Sequence, residues 1–319
     1  SKWAQVVADQ TGAEWHQTYP TKNELLDDLE DLVHCQDIPL ITTRTYAQYR
    51  VMRLINENNI KVVLDGQGGD ELFSGYHHHY FPYWMGLFKQ GRYNTMINEM
   101  RSTRALPSVM KYFLKSYVKN EVATIIPSGI KPGIHKSIFG EMNFLSNDFF
   151  HANIGRYKEE NMAPSDSLNS VLSHEFYSGP LKYLLRCEDR CSMRFSVESR
   201  TPFSDDRDLI SRLFSIPSIY KIQGGVTKKL LRNSMQAHIP EVIANREDKM
   251  GFMTPNNDWI REMKDEVRHY FEADTTGMLD KSLILKEYDN YFNPSSKEEN
   301  FRIFKFMSFV VWLKVFELN

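Results

Sequence analysis

Glycines and acids crowded into one short run, residues 61–76, set the chemistry to be explained: K-V-V-L-D-G-Q-G-G-D-E-L-F-S-G-Y. The apolar residues Val62, Val63 and Leu64 enter a turn built of Asp65, Gly66, Gln67, Gly68 and Gly69. Asp70 and Glu71 follow, and Leu72-Phe73 begin an apolar helix. A strand–loop–helix junction of this kind brings backbone N–H groups close to a ligand, with a helix N-terminus aimed at it. The acids suit the first helical turn, where the dipole favours negative charge, yet they repel a bare phosphate. A divalent cation that bridges them to a phosphorylated ligand removes the conflict, because Mg²⁺ takes one or two carboxylates together with phosphate oxygens. A plainer reading, a βα turn whose helix starts with acids, uses the same residues, and short glycine motifs match often by chance.

Four further clusters carry charge or ring nitrogen. Glu188-Asp189-Arg190-Cys191-Ser192-Met193 is followed by Val197-Glu198-Ser199-Arg200-Thr201-Pro202-Phe203-Ser204-Asp205. Charges interleaved with apolar residues are buried only when paired, so this is either an internal salt-bridge network or the polar wall of a site. In Gly224-Gly225-Val226-Thr227-Lys228-Lys229 a glycine turn leads into a helix with lysines in its first turn. Those lysines oppose the dipole, which an anionic ligand would offset. Residues 245–255 read as a loop bearing Arg246 and Lys249, pinned by Gly251 and Pro255. His77-His78-His79 cannot all face one way on a helix, and a surface or pocket-rim segment is expected there.

These residues need elements to hold them. A helix is expected over 1–10, a short strand over 14–19, and a helix opened by the capping box Thr21-x-x-Glu24. Leu25, Leu29, Leu32 and Val33 give that helix an inward stripe. Another helix is expected over 44–58, with Ala47, Val51, Leu54 and Ile55 inward, and then the clearest strand, 61–64. That strand is apolar on both faces and should be central and buried, as parallel strands are. The order is the rhythm of a parallel α/β sheet. Beyond Tyr76 helices dominate, over about 83–100, 108–121, 167–195, 206–215, 227–237, 258–273 and 300–318. Two strands are too few for such a sheet, so the chain reads as starting partway into a domain.

Composition bounds the partners. The 319 residues are 41% hydrophobic and 25% charged, with a formal net charge of −2. Nothing favours nucleic acid or an anionic membrane. Three cysteines, Cys35, Cys187 and Cys191, form no disulfide framework and fit a reducing cytoplasm. Cys187 and Cys191 share a helix face and read as buried thiols ahead of a metal pair. No signal peptide is recognisable, and the apolar run 306–313 is far short of the roughly 20 residues a bilayer needs.

Taken together and in this order, the motifs resemble the synthetase domain of glutamine-hydrolysing asparagine synthases. Leu64–Tyr76 matches that family's L-[SD]-G-x-G-[GA]-D-E-[LV]-F-x-G-Y. Asp189–Met193 and Val197–Asp205 match D-R-x-S-M and V-E-x-R-x-P-F-x-D. Lys228–Arg232 matches K-x-x-L-R, Arg246–Pro255 matches R-x-x-K-x-G-F-x-x-P, and Trp312–Phe316 matches W-L-x-V-F. The resemblance runs from near Ser1 to the C-terminus.

The resemblance implies an adenine nucleotide alpha hydrolase-like (ATP pyrophosphatase) α/β unit, incomplete at its N-terminus, over 1–80, and a largely helical portion over 81–319. It implies ATP and Mg²⁺, and adenylation of a carboxylate, normally aspartate, which ammonia then converts to an amide. By similarity Leu64, Asp65, Gly66, Gly68 and Gly69 line the nucleotide, with Asp65 and Gly66 on the adenosine–ribose side. Asp70, with Glu71, holds Mg²⁺ and pyrophosphate. Lys228 neutralises charge as it develops, and Lys249 assists the leaving pyrophosphate. Lys228, Gln67 and Asp189 form the implied catalytic set. Gln67 departs from the family, whose members place Glu or Tyr there. Gln is no base near neutral pH but can orient a substrate. The family's S-G-G-x-D-S loop does not occur, and Ser1 stands where the cysteine of a glutaminase domain would open a complete enzyme. The ammonia is therefore expected from a glutaminase domain outside this chain, which alone should not complete the reaction. A homodimer stays open. Three rivals stand beside this reading: another acceptor (a sugar acid, a peptide carboxylate, or ring closure as in β-lactam synthetases), a non-catalytic interaction module, and a dinucleotide-binding oxidoreductase. Against the last, Glu71 occupies the sixth position of G-x-G-x-x-G.

Overall fold

The computed structural model describes residues 2–104, 106–107, 109–110, 144–160, 167–246, 251, 254–292 and 301–318. The N-terminal part runs α1 (Lys2–Thr11), α2 (Lys22–Gln36), α3 (Arg44–Glu57), β1 (Val62–Leu64) and α4 (Gly69–Phe73). Then come α5 (Tyr80–Lys89), α6 (Tyr93–Ser102), α7 (Asn147–Glu160), α8 (Leu168–Tyr177), α9 (Leu181–Arg194) and β2 (Glu198–Arg200). The C-terminal part holds α10 (Pro202–Asp205), α11 (Arg207–Ser215), α12 (Lys229–Met235), α13 (Glu241–Ala244), α14 (Asn256–Glu262), α15 (Lys264–Ala273), α16 (Lys281–Lys286) and α17 (Phe301–Val315).

Local chemistry explains the boundaries. Thr21 and Glu24 close the expected capping box on α2: Thr21 N–H donates to Glu24 at 2.8 Å, and Glu24 N–H donates to Thr21 Oγ1 at 3.3 Å. Asp37 ends that helix in the left-handed region (φ 55°), which Asp tolerates better than most residues. The single helix expected over 167–195 is two, α8 and α9, parted at Ser178-Gly179-Pro180. A Cβ at Gly179 would sit 2.7 Å from the Glu175 Cα, so the sharp corner needs glycine there. Likewise the helix expected over 83–100 breaks at Gly91 (φ 71°). The helix expected over 108–121 lies outside the described residues except for isolated positions.

Three apolar clusters hold the molecule. The largest joins Leu25, Leu29, Leu32 and Val33 of α2 and Tyr46, Tyr49 and Met52 of α3 to α14, α15 and α17. It therefore draws on both sides of position 80. A second surrounds Tyr83 and Trp84 of α5, and a third packs Leu72 and Phe73 of α4 against Phe176, Leu181, Ile210 and Leu213. On α3 the buried face is Thr45, Tyr46, Ala47, Gln48, Tyr49 and Met52. Of the residues expected to face inward, Ala47 is buried and Ile55 packs against the largest cluster, while Val51 and Leu54 line, with Trp15, Tyr19 and Trp259, an apolar groove of about 860 Å³.

The sheet differs from expectation in two ways. Residues 14–19 form no strand. The partner of β1 is the polar β2, paired parallel with Val62 opposite Glu198, Val63 opposite Ser199 and Leu64 opposite Arg200. Nor is β1 central and buried: Val62 is 43% and Leu64 76% exposed. Among the described residues no strand lies along its second edge. Alternation turns Val63 to the core face and Val62 and Leu64 to the opposite face. No helix among the described residues is long and apolar enough to cross a membrane.

Candidate active site

The site begins where the two strands end. Asp65 N–H donates to Arg200 O at 2.8 Å and extends the ladder by one step. The Asp65 carboxylate then turns the chain, accepting Gln67 N–H at 2.9 Å. Gly68 follows at φ +89°, a conformation open to glycine. A Cβ on it would lie 3.2 Å from the Ser204 Cβ, and one on Gly69 would lie 3.3 Å from the Phe203 ring. The segment after β2 thus packs directly under the glycine loop.

Asp70, in the first turn of α4, meets Lys228: Nζ to Oδ1 is 2.6 Å. The partners are 158 positions apart in sequence, and both side chains are largely sheltered, at 13% and 29% exposure. Gly75 makes the meeting possible. A Cβ there would fall 1.8 Å from Asp70 Oδ1 and 2.5 Å from Lys228 Cε. Lys228 has a left-handed backbone (φ 53°) at the N-cap of α12, a conformation that costs about 1 kcal/mol or more for a non-glycine residue.

The glycine turn before Lys228 already holds an anion of its own. Gly224 N–H and Gly225 N–H donate to the two carboxylate oxygens of Glu99, each at 3.0 Å. Tyr80 Oη donates to Gly225 O at 2.7 Å. This turn is therefore an anchor for Lys228 and not a second ligand loop.

Glu71 does not accompany Asp70. It is 2% exposed and accepts the Tyr76 hydroxyl at 2.9 Å. Burial pushes its pKa up. Below it lies a network that the histidine run did not announce. His79, expected near the surface, is fully buried. His79 Nε2 lies 2.7 Å from Glu175 Oε2, and His78 Nε2 lies 2.8 Å from Oε1. Two imidazoles and a carboxylate are a metal-ligand set, with all their ligand atoms within 4.8 Å of one another. However, His79 Nδ1 accepts Tyr76 N–H at 3.4 Å, so Nε2 carries the proton and donates to Glu175. Hydrogen bonds account for the cluster. Burial opposes ionisation of Glu175, but the two imidazole hydrogen bonds outweigh it and hold the carboxyl at about 2. Burial lowers the pKa of His79.

Helix α9 supplies Glu188, not Asp189, to this region. Asp189 is exposed. Glu188, 2% exposed, accepts the Ser199 hydroxyl at 2.6 Å and the Gln48 amide. Burial, joined by the neighbouring Asp65 carboxyl and opposed by Ser199, pushes its pKa up. Glu188, midway along α9, therefore ties Gln48 of α3 and Ser199 of β2 to Asp65 at the start of the loop. Leu64 and Gly66 are exposed at the loop's rim, and Gln67 is half-buried. Lys249 lies outside the described residues. Arg246, from the same motif, stacks over Trp3 of α1 at 5.1 Å. Sequence reasoning missed Glu99, Glu175 and the role of Gly75. The helical phase of α9 offered one usable signal: 188 and 189 stand about 100° apart on a helix, so only one can face the loop.

The donor set suits a magnesium–phosphate ligand at one point. Asp70 offers a hard carboxylate, and an ammonium stands beside it. Comparison with known proteins agrees in kind. The sequence profile of the asparagine synthase family matches residues 1–314. The chain belongs to the asparagine synthase family. It is 26% identical over 302 residues to asparagine synthetase [glutamine-hydrolyzing] 1 of Bacillus subtilis, covering 91% of this chain and 46% of that protein. It is 22% identical over 333 residues to a putative asparagine synthetase [glutamine-hydrolyzing] of Mycobacterium tuberculosis, covering 97% and 47%. Against asparagine synthetase B [glutamine-hydrolyzing] of Escherichia coli it reaches 38% over 77 residues, 24% of this chain and 14% of that protein. The chain thus spans about half the length of the first two. Family membership fits the paired Asp70 and Lys228, and it leaves the dinucleotide reading without support.

Proposed function

We propose that this chain is the synthetase part of an ATP-dependent amidotransferase. It would adenylate a carboxylate, L-aspartate first among candidates, and pass glutamine-derived ammonia to the activated carbonyl. The observation that carries the proposal is the Asp70–Lys228 pair at 2.6 Å beside the Gly66–Gly69 loop. A carboxylate is a poor electrophile, and a mixed anhydride with AMP is a good one.

Each residue then has a task. Asp70 is the ligand for Mg²⁺, and the metal when bound spreads the charge of the triphosphate. Lys228, released from Asp70, neutralises charge on the α-phosphate oxygens as carboxylate attack proceeds. Gly66, Gly68 and Gly69 let the nucleotide approach the backbone, and Leu64 and Asp65 border its ribose. Gln67 orients the acceptor, since its amide cannot take a proton. Glu71, buried and bonded to Tyr76, fixes the turn that carries Asp70. Lys249 neutralises the leaving pyrophosphate.

Asp70→Asn tests this in the protein that joins this chain to its glutaminase part. Loss of one electrostatic donor of this kind costs on the order of 10²–10³ in rate, so acceptor-dependent pyrophosphate release should fall by that factor while glutamine hydrolysis persists. Asn caps a helix about as well as Asp, so a merely structural Asp70 would leave the rate almost untouched. Near-normal pyrophosphate release with unchanged Mg²⁺ dependence would remove Asp70 from the mechanism. A screen of carboxylic acids for AMP formation identifies the acceptor.

A further inference from the structure

We propose that Cys35 and Cys191 are a peroxide-responsive thiol pair, an oxidation site at which a disulfide joins helix α2 to helix α9. The two residues lie far apart in sequence and on different helices, yet the Gln36 side chain bridges them. Cys35 Sγ donates to Arg190 O at 3.1 Å, the carbonyl next to Cys191. The Gln36 side-chain amide reaches both sulfurs, at 3.2 Å for Cys191 and 4.0 Å for Cys35. Cys35 is half-buried and Cys191 wholly buried. A peroxide can therefore reach the first sulfur while the second waits behind it.

Its neighbours favour Cys35 as the attacking group. The adjoining Cys191 thiol, with Arg194 and the Gln36 amide assisting, draws the Cys35 pKa below the ordinary thiol range against burial and the Asp31 charge. The thiolate is the reactive form, and Cys35 is also the more exposed of the two sulfur residues. Cys187, one turn before Cys191, is placed differently. It contacts Tyr183 and Thr45, and burial pushes its pKa up.

The chemistry closes with a hydroperoxide as oxidant. The Cys35 thiolate attacks one peroxide oxygen: an S–O bond forms, the O–O bond breaks, and hydroxide leaves. Cys191 gives up its proton and attacks the sulfenic sulfur. An S–S bond forms, the S–O bond breaks, and the second hydroxide leaves with that proton as water. Two thiols are oxidised by two electrons and one hydroperoxide is reduced to water. A dithiol reverses the step by exchange. The bond would tether the last turn of α2 to α9 three residues past Glu188, so the tether lies within a turn of the wall of the candidate site.

The test needs no substrate and does not depend on the ligase reading. The folded chain is treated with hydrogen peroxide, alkylated and mapped by mass spectrometry. The expected product has lost two thiols, weighs less by two hydrogens, links the peptides of Cys35 and Cys191, and reverts with dithiothreitol. Cys187→Ser should leave that product intact. Cys191→Ser should stop at a dimedone-reactive sulfenic acid on Cys35. A link that uses Cys187, or three alkylatable thiols after a dose that oxidises a control dithiol peptide, overturns the proposal. Mapping the unmodified sequence decides the matter even if a serine variant fails to fold.

Discussion

Glu175→Gln probes the network that underlies the loop. Glu175 accepts two imidazole N–H groups, at 2.7 and 2.8 Å. The amide that replaces it has one acceptor oxygen and an NH₂ that faces a second donor. His79 cannot adjust, because its Nδ1 already accepts Tyr76 N–H. The amide oxygen therefore goes to His79, and His78 must present a bare nitrogen. A carboxyl held at about 2 instead of 4.5 represents roughly 3 kcal/mol of stabilisation at neutral pH. The Glu175 side chain is 15% exposed, and screening brings the expected loss to about 2 kcal/mol. The sign follows from linkage. The folded pKa lies below the unfolded one, so the contribution is complete above about 4.5 and disappears as pH falls through about 2. His79, also depressed, withdraws its own contribution as pH falls below its ordinary 6.5, and further in the variant, because the Glu175 carboxylate raises the His79 pKa against burial. Urea unfolding followed by helix circular dichroism, in parallel for both proteins, reads the difference. The variant should lie about 2 kcal/mol lower near pH 7, with the gap narrowing below pH 4. A loss under about 0.5 kcal/mol, or a gap indifferent to acid, would mean that Glu175 does not hold its charge against the two imidazoles.

Two further substitutions test the frame. Gly225→Ala places a Cβ 2.4 Å from the Ser102 carbonyl at φ +69°; the clash and strain should cost more than about 2 kcal/mol, read as a lowered thermal midpoint. Thr21→Ala removes the Oγ1 acceptor for Glu24 N–H and should cost about 1 kcal/mol, while Cys35 alkylation kinetics at the far end of α2 stay unchanged.

Local signals and family motifs were legible to different depths. The capping box at Thr21, the inward stripe of α2 and the strand at 62–64 follow from short-range chemistry and were readable. The glycine loop and Lys228 were legible as motifs, and the structure adds that Asp70 and Lys228 touch. The second strand was not legible: Glu198-Ser199-Arg200 is polar throughout, and its pairing with β1 is a long-range event that no window of residues contains. Residues 14–19 alternate as a strand does, yet alternation alone supplies no partner. The histidine run misled for a related reason. His79 is buried beside Glu175, which a distant helix, α8, brings up against α4. Asp189 and Glu188 illustrate the limit of motifs, since a motif gives residue types but leaves the helical phase, and hence which acid faces inward, to be worked out.

The open edge of β1 has a consequence for how this chain behaves outside a test tube of one species. In a parallel ladder alternate residues bond to one side. With Lys61 O and Asp65 N–H engaged by β2, the peptide groups of Val62 and Leu64 point to the side that carries no strand among the described residues. Such an edge is a template for any extended segment, and here its side chains are the exposed Val62 and Leu64, with no lysine, proline or bulge between them to discourage pairing. During refolding the edge is open to a neighbour's strand. Aggregation should then rise with protein concentration faster than thermodynamic stability would suggest, and a single charge at Leu64 should restore solubility without touching the core.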